Sequence, residues 1–342
     1  MCLVLLGCTA GICLAQVPKS EKPAAKADAK KPSIYDKNDD AKVQLAAAST
    51  RAERSNKRVL LMFGGDWCGW CHKLHDLFAQ NAEIRRLLSY EYELVMIDTN
   101  APHAPELLEE CSKGQTGVAF PFLAVMDAGG KLLVGQKTDP LEQGDHHDPK
   151  KVKEFLARWV VEPKDAQVVL QAALSRAASE DKKVFLTFGA PWCGWCHKLE
   201  DFLARPEIGV ILTRDFVVLK VDLDRMTSGK DVMKKYRPEE PGGIPWFTVL
   251  DAKGDKLATS DLLEGQNKNV GYPAEPKEIN AFMSMVEGQA RRIEPGQIAE
   301  LRKELEQASE KIVAEMKQRA AEAAKKKERN QSCTACDVNL SG

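Results

Sequence analysis

Ten cysteines occur in the 342 residues, and six of them form three Cys-x-x-Cys pairs: Cys68/Cys71, Cys193/Cys196 and Cys333/Cys336. Where a helix begins at the first cysteine, the second lies one turn on and on the same face. A sulfur at a helix start meets unpaired backbone N–H groups and the positive end of the macrodipole, which favours thiolate over thiol. On this reading Cys68 and Cys193 attack a disulfide, and Cys71 and Cys196 resolve the mixed disulfide and release the reduced partner. Gly69 and Gly194 leave room for the backbone of another polypeptide. Trp67 and Trp192 shield the sulfurs and offer apolar contact surface, to which Trp70 and Trp195 add from between the cysteines.

The same residues admit other chemistries. Cys-x-x-Cys-His, ending here in His72 and His197, is also the attachment pattern of c-type haem and would describe a secreted two-haem electron carrier. A strand close before each motif and a positioned proline after it weigh against haem. A zinc site of Cys68, Cys71, His72 and His75 is disfavoured because Glu200 replaces His75 in the second copy. Ligands packed into so short a stretch of one helix also point around too wide an arc for a tetrahedron. No metal and no bound cofactor is expected, since the electrons reside in the cysteine pairs. A non-catalytic pair of docking modules competes, but both cysteines are retained in both copies. Cys333 and Cys336, in a polar tail with no strand before them, receive no role. Cys111 reads as a buried small hydrophobe and His146-His147 as loop.

The elements that must position these residues occur twice. A shift of 125 residues aligns Asp40-Ala41 with Asp165-Ala166 and runs without a gap to Ala79 and Ala204, pairing Val59 with Val184 and Phe63 with Phe188. Within it, WCGWCHKL recurs identically at Trp67 to Leu74 and Trp192 to Leu199. After a single-residue slip, Asp98 pairs with Asp222 and Pro121 with Pro245. This is a tandem duplication of a domain-sized unit. Each copy predicts an amphipathic helix (about 40–55 and 165–180), then a strand at Val59 to Phe63 or Val184 to Phe188. The cysteine block opens the next helix. A second strand follows (Leu94 to Ile97; Phe216 to Val221), then a weaker helix (Glu106 to Cys111; Asp231 to Tyr236). A hairpin built on Phe122 to Met126 or Phe247 to Leu250 leads to a helix begun by Pro149 or Pro276. Such an order implies a mixed sheet covered on both faces.

The apolar strand, the Trp-Cys-Gly-Trp-Cys block opening a helix, and a proline about 50 residues later before another apolar strand together resemble the thioredoxin family. The likeness is greatest to bacterial secreted or periplasmic domains carrying Trp-Cys-x-x-Cys-His, including the reducing domain of thiol:disulfide interchange proteins. It implies an α/β fold: two tandem thioredoxin-like three-layer αβα domains with mixed sheets, followed by a charged C-terminal helix. It further implies that the Phe120-Pro121 and Ile244-Pro245 bonds are cis and face the cysteines, where the residue before each proline pairs with an extended substrate segment. Two departures stand out. Thioredoxin usually carries a buried Asp six residues before the first cysteine, as proton acceptor for the resolving thiol; here those positions are Met62 and Thr187. His72 and His197 are the adjacent candidates for proton transfer, imidazole titrating near neutrality. Trp also replaces the active-site Pro, which leaves the direction of electron flow open.

The flanks complete the organisation. Met1 to Leu14 is apolar and exits through Ala15, as a secretory signal does, although a charged start is missing. Leu5-Leu6-Gly7-Cys8 resembles a lipobox, a lesser reading. The boundaries read as a signal at 1–15, an unfolded linker at 16–35, domains at 36–161 and 162–291, a charged helix at 292–330 and a flexible tail at 331–342. Apolar residues from Ile298 to Met316 make one stripe, offering self-association through 297–320 or packing on the second domain. With 49 Lys+Arg against 50 Asp+Glu, no global field draws the chain to nucleic acid. The expected function is thiol-disulfide exchange on protein substrates in the periplasm or outside the cell, reduction favoured over oxidation, with a membrane thiol relay as the candidate electron donor.

Overall fold

The computed structural model describes residues 33–238, 243–265 and 268–338. The predicted signal and most of the linker lie outside these residues.

The first repeat opens with α1 (Ala41–Ser55), whose first N–H groups are capped by the Asp40 carboxylate, and ends at Asn56 in the left-handed conformation. Then come β1 (Arg58–Gly64), α2 (Gly69–Gln80), α3 (Ala82–Glu91), β2 (Tyr92–Asp98), α4 (Ala104–Ser112), β3 (Phe122–Met126) and β4 (Leu132–Lys137). A two-residue ladder of β5 (Glu142–Gln143) and β6 (His146–His147) precedes α5 (Pro149–Arg158). The sheet order is β2-β1-β3-β4, with β1 parallel to β2 and antiparallel to β3. Being central, β1 is buried on both faces, which is why it reads as an unbroken apolar run. Val59, Leu61 and Phe63 point into a core closed by α1 and α4, while Leu60 and Met62 point into one closed by α2, α3 and α5.

The second repeat follows the same plan. Its elements are α6 (Ala166–Glu180), β7 (Lys183–Gly189), α7 (Gly194–Leu203), α8 (Pro206–Leu212), β8 (Phe216–Asp222), α9 (Gly229–Tyr236), β9 (Trp246–Leu250), β10 (Lys256–Thr259) and α10 (Pro276–Gln289). The order β10-β9-β7-β8 matches the first sheet strand for strand. Both are mixed sheets between helical layers.

Four differences from the sequence-based expectation bear on the sites. First, α3 and α8 were not predicted: each is short and follows an active-site helix directly, α3 started by Asn81 accepting from Glu83 and Ile84 N–H and α8 by Pro206 at its first turn. Second, Ser33 to Tyr35, assigned to the unfolded linker, are in place, and Tyr35 is buried in the core beneath the first motif. Third, His146 and His147 form β6 rather than loop. Fourth, α11 (Pro295–Val338) runs past Asn330 and includes Cys333 and Cys336 in its backbone. Its stripe is buried on the second repeat's own core through Leu301, Leu305 and Ala308, so those residues are not offered to a second copy.

The repeats dock on each other through Arg225, which follows β8. Its guanidinium pairs with Glu91 (2.8 Å) and donates to the carbonyls of Ser55 and Asn56. Among the described residues no helix is long and apolar enough to cross a membrane.

Candidate active sites

Each motif sits where a central strand ends and a helix begins. Cys68 is the N-cap of α2 and Cys193 the N-cap of α7, both in extended backbone; their sulfurs accept the N–H of Cys71 and Cys196 at 3.1 Å. The sulfur thus takes the role a Ser or Asp oxygen usually plays at this position. Each pair is joined as a disulfide with Cα atoms 5.2 Å apart. The first cysteine of each pair keeps some exposed surface, 6% for Cys68 and 5% for Cys193, whereas Cys71 has none and Cys196 1%. A molecule approaching from solvent therefore reaches the first sulfur.

Trp67 and Trp192 are largely exposed, at 64% and 65%, so they flank the sulfurs as contact surface rather than covering them. Gly69 and Gly194 open α2 and α7, with nothing within 4 Å of where a Cβ would stand. Phe120-Pro121 and Ile244-Pro245 are cis. In the second site Cys193 Sγ lies 3.5 Å from the Ile244 carbonyl oxygen; in the first, the Phe120 ring meets Trp67 edge-on at 5.9 Å. Trp70 packs edge-on against the His147 ring (5.1 Å) and Trp195 stacks on Tyr272 (5.9 Å). Each inner Trp is thereby braced by the segment just before the last helix of its sheet. His147 Nε2 also hydrogen-bonds the Trp70 carbonyl (3.2 Å), and burial pushes the His147 pKa down.

His72 and His197 turn toward the loop: their Nε2 atoms hydrogen-bond the carbonyls of Asp66 (3.0 Å) and Pro191 (2.8 Å), six residues back. Other polar groups lie near the inner sulfurs, those of Cys71 and Cys196, and they differ between the sites. At the first, a Cβ on Gly64 would lie 2.5 Å from both Cys71 Sγ and the Tyr35 hydroxyl oxygen, so only glycine fits there and the two atoms are no more than twice that distance apart. The Tyr35 hydroxyl is buried with no hydrogen-bond partner among the described residues. At the second, a Cβ on Gly189 would lie 3.2 Å from Cys196 Sγ and 3.4 Å from Glu200 Oε1. The other Glu200 oxygen accepts from Lys220 Nζ at 2.8 Å. Glu200, Lys220 and Thr187 line a cleft of 620 Å³ between the repeats, with Arg51, Lys57 and Glu93 on its far side. This carboxylate is therefore partly exposed to the cleft.

Tyr35, Glu200 and His147 were missed as site residues. Glu200 gave one usable signal, being the position where the repeated helix changes from His75 to a carboxylate. Tyr35 gave none, since it precedes the aligned repeat. Cys111 is fully buried, and burial pushes its thiol up to about 12, so it is not an exchanging thiol. Among the described residues no cluster of His, Cys, Asp and Glu is arranged to hold a metal ion.

Residues 40–128 match a family model described as thioredoxin-like, and residues 147–270 match the DsbH-type thioredoxin model described as a protein of unknown function, DUF255. The chain is 24% identical over 237 residues to protein disulfide-isomerase erp38 of Neurospora crassa, covering 65% of this chain and 60% of that protein. It is 32% identical over 103 residues to the disulfide bond reductase DsbH of Chlamydia pneumoniae, covering 28% of this chain and 61% of that one. The chain thus spans about three fifths of the length of each of these two relatives. Among solved structures, a disulphide isomerase from Xylella fastidiosa Temecula1 matches at 25% identity over 36% of this chain and 95% of that one, with a TM-score of 0.32.

Proposed function

We propose that this chain, a member of the thioredoxin family, exchanges dithiols and disulfides with protein substrates at both Cys-Gly-Trp-Cys loops and works chiefly as a reductase. The observation that carries the reading is the paired placement of the sulfurs: the outer one capping a helix and accepting an amide N–H, the inner one buried a turn below it.

In the reducing direction the thiolate of Cys68 or Cys193 attacks a substrate disulfide, forming a mixed disulfide and expelling one substrate thiolate, which takes a proton from water. Cys71 or Cys196, deprotonated, then attacks the outer sulfur. The enzyme disulfide forms, the mixed disulfide breaks, and the substrate leaves with two more electrons than it brought. Phe120 and Ile244, each before its cis proline, hold an extended substrate segment against the outer sulfur, and Trp67, Trp70, Trp192 and Trp195 supply apolar contact around it. In the second site Glu200, placed beside Cys196 and open to the cleft, takes the resolving proton. His72 and His197 hold the loops through the carbonyls they bind, and proton transfer through them is secondary.

The name of the Chlamydia relative, a disulfide bond reductase, supports the direction. The apolar stretch from Met1 to Leu14 supports a periplasmic or secreted location, where a membrane thiol relay is the donor the reading requires. The test is reduction of a protein disulfide such as insulin by the full chain with dithiothreitol. The reading expects turnover that falls to the uncatalysed rate only when Cys68→Ser and Cys193→Ser are combined. Unchanged turnover in the double variant would refute it.

A further inference from the structure

We propose that the Tyr35 hydroxyl is the hydrogen-bond donor that stabilises the Cys71 thiolate during resolution at the first site, a device the second site lacks. The inference rests on the exchange reading given above. Tyr35 reaches the motif because the segment before the repeat is fastened to it: Ile34 N–H donates to Asp66 Oδ1 at 3.0 Å, and the Ser33 hydroxyl donates to Asp66 Oδ2. Asp66, just ahead of Trp67, is Pro191 in the second repeat, which can hold no such strap.

The hydroxyl and Cys71 Sγ crowd the same point over Gly64, and the hydroxyl is buried without a partner while Cys71 is in its disulfide. A disulfide sulfur is a feeble acceptor, whereas a buried thiolate is a strong one, so reduction supplies what the hydroxyl lacks. Burial, with Asp98 and Asp66 nearby, holds the Tyr35 phenol well above its ordinary pKa. It therefore donates and does not serve as a base. Of the charged and titratable groups on the packed elements, Asp98 at the end of β2 and Asp66 in the loop act on the Tyr35 phenol, and His72 and His75 share α2 with Cys71.

In the resolving step the Cys71 thiol gives its proton to water and the thiolate, held by the Tyr35 O–H, attacks Cys68 sulfur. The Cys68–Cys71 bond forms, the bond from Cys68 to the partner sulfur breaks, and the partner departs as thiolate. Removing the donor raises the Cys71 pKa and slows the attack at neutral pH.

The experiment uses the full chain with Cys193→Ser and Cys196→Ser, reduced and then treated with 5,5′-dithiobis(2-nitrobenzoate). Attack of Cys71 on the Cys68 adduct releases a second thionitrobenzoate in a first-order phase, identified by its loss in Cys71→Ser. With Tyr35→Phe, that phase is expected to slow about tenfold at pH 7 and its pH midpoint to rise by about one unit, the effect of losing a hydrogen bond to a charged group. The corresponding phase at Cys193/Cys196, read in the converse chain, is expected to be unchanged. A Tyr35→Phe chain with the original rate and midpoint overturns the proposal. A second readout needs no variant: the Tyr35 Cζ resonance of the unaltered chain is expected to move when Cys68–Cys71 is reduced, and its failure to move is equally contrary. Both measurements read Cys71 itself. A chain inactive on proteins but showing the Tyr35 effect fails only the functional reading, and one active on proteins without the effect fails only this one.

Discussion

The two Cys-Gly-Trp-Cys loops are identical in sequence and alike in backbone, yet the groups beneath them are not. Under Cys71 lies a neutral, buried phenol, brought by a segment from outside the repeat; under Cys196 lies a carboxylate paired with Lys220 at the edge of an open cleft. The inner tryptophans differ similarly, Trp70 braced by a titratable His147 and Trp195 by Tyr272. On the proposed reading, duplication preserved the outer sulfur as attacking group together with its helix, where nothing but the N-cap geometry serves. It let the resolving side diverge, where any group that stabilises a thiolate or removes a proton suffices. The two sites should therefore share an attack step and differ in resolution.

The largest effect expected is at the shared step. Cys68→Ser should leave only second-site turnover and Cys193→Ser only first-site turnover, each lost rate falling at least about 10³-fold, as removal of a nucleophile does. A chain in which one substitution silenced both sites would break the comparison by showing that electrons must pass through both. Next comes the resolving base: Glu200→Gln should slow resolution at Cys196 by about tenfold to a hundredfold at pH 7, the scale of general-base catalysis, and leave Cys71 untouched. Stopped-flow release of thionitrobenzoate from each half-silenced chain reads both.

Docking should respond more moderately. Arg225→Ala leaves the Glu91 carboxylate and two carbonyls without their cation in a largely buried contact, so cooperative melting of the repeats should split by about 3 kcal/mol. Calorimetry checks this, and a single unshifted transition would contradict it. The smallest expected effect is a pH asymmetry. The His147 pKa is depressed when folded, so the neutral ring's contribution is complete above the unfolded value near 6.5 and is lost as pH falls below it. Acidification from pH 7.5 to 5.5 should loosen the loop around Trp70 and not that around Trp195. Hydrogen exchange resolved by residue measures it, and His147→Phe should abolish the difference.

The fold was legible where a pattern repeats. Central strands β1 and β7 appear as apolar runs because both faces are covered, and the 125-residue shift doubles every signal. What escaped had local patterns too weak to read or depended on long-range contacts. In α3 only Ile84 and Leu88 are buried, so its stripe is faint; β5 and β6 are two residues each, too short for alternation. Tyr35 looks like the end of a charged tether until Asp66, some thirty residues on, is seen to fasten it. Glu200 gains meaning only from Lys220, a strand away.

The central claim is that the N-terminus of a helix makes the outer sulfur of each pair acidic. Its most direct test is the pH dependence of iodoacetamide alkylation at Cys68 and at Cys193, each followed by peptide mass in the full chain with its resolving partner changed to Ser. The account predicts that both ionise at least about one unit below the 8.5 of free cysteine. Midpoints at or above that value would contradict it.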